Sequence, residues 1–214
     1  DGSPLILSEI MYHPMESSTT NNVEFIEIFN TDPAPRDISG FRISGDVDYT
    51  FPSDTMMPFR SYVVVARDPA AVAEAYGLDN VYGPYSGTLP NDAGTVRLRN
   101  DFIHGNGALL LEVDYEDQVP WPISADGGGH SLQLSKPDYG EGSVRAWEGS
   151  SFVGGSPGKF DPLPVGALRD VVINEYLSHT DLPDTDFIEL YNRGTQTVDI
   201  SGCGLSNTLT TNRF

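Results

Sequence analysis

Apolar positions along this chain fall in short runs broken by turn residues. Leu5 to Tyr12, Val23 to Phe29, Ile38 to Ile43, Tyr62 to Ala66, Thr95 to Leu98, Ala108 to Tyr115 and Ser131 to Leu134 are rich in β-branched, aromatic or Leu residues, with Gly, Pro, Asn or Asp between them. That pattern predicts strands. Within Val23 to Asn30, Ile26 and Ile28 share one face with Glu24, while Phe25, Glu27 and Phe29 share the other. A Glu between two Phe predicts a half-exposed surface there. One helix is predicted over 68–76: Asp68 caps it, Pro69 opens it, Ala70 to Tyr76 favour helix, and Gly77 closes it. So short a helix needs packing to persist and reads as a crossover on the edge or end of the sheets. Many strands with one short helix predict an all-β, antiparallel two-sheet sandwich.

The strand pattern is repeated. Ser8-Glu9-Ile10, Glu24-Phe25-Ile26-Glu27-Ile28-Phe29-Asn30 and Asp37-Ile38-Ser39-Gly40 return as Asn174-Glu175-Tyr176, Asp186-Phe187-Ile188-Glu189-Leu190-Tyr191-Asn192 and Asp199-Ile200-Ser201-Gly202. The offset is 166 for the first block (174 − 8) and 162 for the others (186 − 24 and 199 − 37). The change falls in the polar stretch Glu16 to Asn22, where a loop tolerates a length difference. A period this long marks a repeated domain rather than a solenoid unit. The expected organisation is one complete domain over 1–163 and the opening strands of a second over 164–214. Asp161-Pro162-Leu163-Pro164-Val165-Gly166 reads as the linker.

Composition narrows the class. Gly 22 and Pro 16 together make 38 of 214 residues, which favours turns over long helices. The net charge of −19, from 31 acidic against 12 Lys and Arg residues, repels phosphate backbones and anionic lipid surfaces. Nucleic acid is therefore not an expected partner, and no run reaches the roughly 18 apolar residues of a membrane span. Asp1-Gly2-Ser3 opens without the charged and apolar regions of a leader peptide. Cys203 is the single cysteine, so an intrachain disulfide is impossible; with no His or Lys beside it in sequence, it reads as a structural thiol.

The blocks together resemble the lamin-tail domain in its bacterial form, which is immunoglobulin-like. The resemblance rests on Leu7-Ser8-Glu9-Ile10-Met11-Tyr12-His13-Pro14, Glu24 to Asn30, Asp37-Ile38-Ser39-Gly40-Phe41, Tyr49-Thr50-Phe51-Pro52 and Tyr62-Val63-Val64-Val65-Ala66. Pro120-Trp121-Pro122, Asp126 to Leu134, Trp147 and Gly155-Ser156-Pro157-Gly158 extend it to the end of the first copy. It departs at Pro58-Phe59-Arg60-Ser61, where the family carries a Pro-Gly-Gly-like turn. The resemblance implies an immunoglobulin-like sandwich used for tethering or recognition in long exported chains, with no catalytic residues to transfer.

Chemistry-bearing residues are sparse. His13 and His179 occupy matched positions and, like His104 and His130, lack the further ligands of a zinc site. Carboxylates gather at Asp46 and Asp48, at Asp114, Glu116 and Asp117, and at Asp181, Asp184 and Asp186. None forms the calcium loop with its glycine and closing Glu, so solvated loop acids are the default. If a cation is held, acidity points to calcium at Asp181, Asp184 and Asp186. Gly127-Gly128-Gly129 precedes a strand and lacks the Lys of a phosphate loop. Trp121, between two prolines, reads as a core anchor rather than an exposed binding aromatic.

The expected function is a non-enzymatic binding or tethering module of a larger exported or cell-surface bacterial protein, with no cofactor and with a protein or surface glycan as partner. The alternative is an accessory carbohydrate- or calcium-binding sandwich attached to a catalytic domain elsewhere in the parent chain. Residues 170–214, holding only part of a sandwich, are expected to pair with a second chain by strand addition.

Overall fold

The structure is a computed structural model and describes residues 3–15, 22–100, 107–162, 170–179, 185–198, 200, 203 and 205. In chain order the strands are β1 (Leu5–Met11), β2 (Phe25–Asn30), β3 (Arg36–Asp37), β4 (Arg42–Gly45), β5 (Val47–Thr50), β6 (Met56–Met57) and β7 (Tyr62–Ala66). Helix α1 (Pro69–Tyr76) follows, then β8 (Ser86–Gly87), β9 (Ala93–Arg99), β10 (Leu109–Glu116), β11 (Leu132–Leu134), β12 (Trp147–Gly149), β13 (Val171–Leu177) and β14 (Phe187–Asn192). The chain divides into two compact units, Asp1–Asp161 and Pro162–Phe214.

The first unit is the expected antiparallel sandwich. One sheet has the order β12-β11-β1-β2-β7 and the other β10-β9-β4-β5-β8. Leu7, Ile10, Ile26 and Ile28 from the first sheet meet Ile43, Val96, Leu98 and Val113 from the second in one buried core. Each such side chain contributes roughly 1.5–3 kcal/mol by leaving water. Trp121 is part of this core and lies 6.3 Å from Trp147 between ring centroids.

A β-bulge at Ser8 sets which side chains face which way. Leu7 pairs with Ile28, but the next ladder pair is Glu9 with Glu27. The extra residue advances the alternation by one position. Leu5 and Leu7 point into the core before the bulge and Ile10 and Tyr12 after it, while Glu9 and Met11 turn to the outer face.

That outer face is covered. Met11, Phe25, Val64, Ala66 and Val72 form a second buried cluster beneath α1. The helix begins where its cap residue predicts: Asp68 Oδ1 accepts from the Ala71 amide at 3.0 Å, and Gly77 closes the end at φ 66°. Tyr76 hydroxyl donates to the Gly154 carbonyl at 2.6 Å and so ties the helix to residues 150–161, a strap closing the first sheet. The Arg60 turn retains a left-handed backbone, φ 47°, at a residue with a Cβ.

Two expectations are corrected here. Glu27 is wholly buried rather than half-exposed, because the strap lies over it. Asp161 belongs to the first unit and not to a linker: it is 2% exposed, and its Oδ2 accepts from the Ser151 amide at 2.8 Å.

In the second unit β13 and β14 form an antiparallel hairpin whose ladder runs Ile173 with Leu190, then Glu175 with Glu189, with the irregularity at Asn174. Register and bulge match those of β1 and β2 position by position.

Candidate functional site

The most polar buried feature of the first unit lies between the outer face of β1–β2 and the strap. Glu9 and Glu27 stand opposite each other on neighbouring strands, both fully buried. Glu9 Oε1 accepts from Ser131 Oγ at 2.5 Å and from the Ser156 amide at 2.9 Å. Glu27 Oε1 accepts from Ser8 Oγ at 2.7 Å, and its Oε2 accepts from the Gly158 amide at 2.6 Å. Gly155 takes φ 80°, and a Cβ there would strike Glu9 Oε1 and Ser131 Oγ, so only glycine lets the strap approach this closely.

Burial pushes the Glu9 carboxyl up to about 7, with Asp161 adding to the rise against the lowering effect of its hydrogen bonds. Burial, then the charge of Glu9, raise Glu27 well above the ordinary carboxyl range. A glycoside-cleaving carboxyl pair needs an open cleft between its members. This pair has no solvent access, and its serines spend their hydroxyls on carboxyl oxygens.

The residues singled out in the sequence lie elsewhere, and of the described acid groups only Asp46 and Asp114 meet, at Thr95. His13 Nδ1 is 2.6 Å from Asp126 Oδ1, and His130 Nδ1 is 2.7 Å from the Ser150 carbonyl. Asp46 Oδ2 accepts from the Thr95 amide at 2.6 Å, Asp48 pairs with Arg42, and Asp114 accepts from Thr95 Oγ1 at 2.6 Å. Glu116 is exposed, and the Asp117 amide donates to the Asp92 carbonyl. Of the calcium candidates, Asp181 and Asp184 lie outside the described residues, as does His104; Asp186 precedes β14 at the surface. Cys203 is exposed. Among the described residues no group of three or more His, Cys, Asp or Glu side chains is arranged to hold a metal ion. Gly127 and Gly129 adopt φ 65° and 82° in the turn before β11.

Sequence reasoning missed the Glu9–Glu27 pair. The signal was present in the repeat, since both copies carry a Glu after the bulge and a second Glu in the partner strand.

A sandwich with this strand order matches a known family by sequence as well: the model of the Lamin Tail Domain fits residues 1–117. The chain belongs to the lamin tail domain family. The matched stretch runs from β1 through β10; β11, β12 and the strap lie beyond it yet within the same compact unit. Strap residues nevertheless hold both Glu9 and Glu27 of the matched stretch. No curated protein matches the chain by sequence. Among the described residues no helix of this lamin-tail protein is long and apolar enough to cross a membrane.

Proposed function

We propose that this lamin-tail protein is a non-enzymatic binding and tethering module of an exported or cell-surface bacterial protein, and that its partner is a protein or a surface glycan. The observation that carries the reading is the use of the buried polar groups. Glu9, Glu27, Ser8 and Ser131, the side chains best suited to acid–base or nucleophilic work, are closed off from solvent and committed to holding the strap. The acidic charge favours a partner other than nucleic acid.

The second unit is read as the opening of a second lamin-tail domain, supported by the shared ladder and bulge of β13–β14 and β1–β2. The protein then acts as part of a tandem array, each module presenting loops at its ends.

The test is immobilised protein challenged in parallel with purified envelope polysaccharides and envelope proteins, alongside a panel of ester, glycoside and phosphodiester substrates. Saturable binding to one class without turnover is the expected result. Turnover abolished by a single point substitution would overturn the reading.

A further inference from the structure

The geometry points to a proton-held lock: the buried Glu9–Glu27 pair retains one proton, and its loss as the medium turns from acidic to alkaline loosens the strap at residues 150–161 from the first sheet. The two carboxyls are opposed across adjacent antiparallel strands, where facing side chains lie within about 4.5–5.5 Å at Cβ. Like charges that close and wholly buried cannot both be held without a cation, so one proton is retained in the pair.

Among the described residues, the titratable groups acting on the pair supply no cation. Asp161 comes from the strap, Tyr62 from β7 and Tyr76 from α1, each near enough for its charge to act on Glu9 or on both carboxyls, and all three are acids. Lys159, also on the strap, sits over the exposed Phe152 ring at 5.8 Å. Ionising the pair therefore adds negative charge to a site that already holds Asp161.

The strap is the element that can yield. Its hydrogen bonds to the pair come from the Ser156 amide and hydroxyl on Glu9 and the Gly158 amide on Glu27, and relaxing it admits water to the carboxyls without breaking either β-sheet. Local opening of this kind costs less than global unfolding and is read by amide exchange.

Hydrogen exchange on the whole chain tests this. After correction for intrinsic rates, the Ser156 and Gly158 amides should lose protection by about tenfold or more between about pH 5 and about pH 8, while the Ile26 and Val64 amides should change far less. The double variant Glu9→Gln, Glu27→Gln should flatten that dependence. An unchanged dependence in the folded variant, or flat protection in the unsubstituted chain, overturns the lock. Where the variant fails to fold, carboxyl carbon titration of the unsubstituted chain decides: one glutamate protonated beyond about pH 6 supports the lock, and both ionised by about pH 5 overturns it.

Discussion

Glu9 faces Glu27 across the β1–β2 ladder, and neither side chain reaches solvent. Their opposition depends on the Ser8 bulge, and Ser8 itself donates to Glu27. Replacing Glu27 by Ala should leave Ser8 Oγ and the Gly158 amide without acceptors. Each orphaned donor costs about 1–3 kcal/mol, partly offset by removal of the carboxyl repulsion, so the net loss should be about 2 kcal/mol in urea unfolding.

The same pair gives stability a pH dependence of definite sign. Glu9 rises from 4.5 to about 7 in the folded protein and Glu27 rises in the same direction. Between those values the folded state binds protons that the unfolded chain has released. The Glu9 contribution is fully present below about pH 4.5 and is lost as pH climbs through about 7, and the Glu27 contribution falls with rising pH in the same direction. Melting temperature across that range should fall more steeply for the natural chain than for the double Gln variant, whose remaining slope reports the other acids.

Trp121 gives a test of core packing. It is 7% exposed and packs at a tilt beside Trp147. Trp121→Ala should cost about 3–5 kcal/mol. A loss below about 1 kcal/mol would mark Trp121 as a surface residue.

Arg60 holds a backbone conformation that suits glycine. Arg60→Gly should relieve about 1–2 kcal/mol of strain and surrender about 0.4–1 kcal/mol to the freer unfolded chain. The expected net gain is about 0.5 kcal/mol, read as a small rise in denaturation midpoint.

Local signals were read well from the sequence because their causes are local. Asp68, Pro69 and Gly77 predict α1 and its ends, and strand alternation predicts the antiparallel sheets. Glu27 was misread for the opposite reason. Its burial depends on Gly158, 131 positions away, and nothing in Phe25 to Phe29 announces that cover. Pro162 and Pro164 give Asp161 the look of a linker residue, although its carboxyl closes the strap on Ser151. Of the calcium candidates only Asp186 is among the described residues.

The strap has a consequence for how the domain is made. Glu9 must wait 147 positions for the Ser156 amide, while β2 follows β1 almost at once. On the ribosome, the β1–β2 hairpin emerges early with its two acids bare to water, and burying them must await the strap. Such long-range closure is slow, and until it occurs the part of the outer face around Glu9 and Glu27 lies open to chaperones and to neighbouring nascent chains. A stop or proteolytic cut just before Gly155 would leave most of the strands translated and the domain still unfinished.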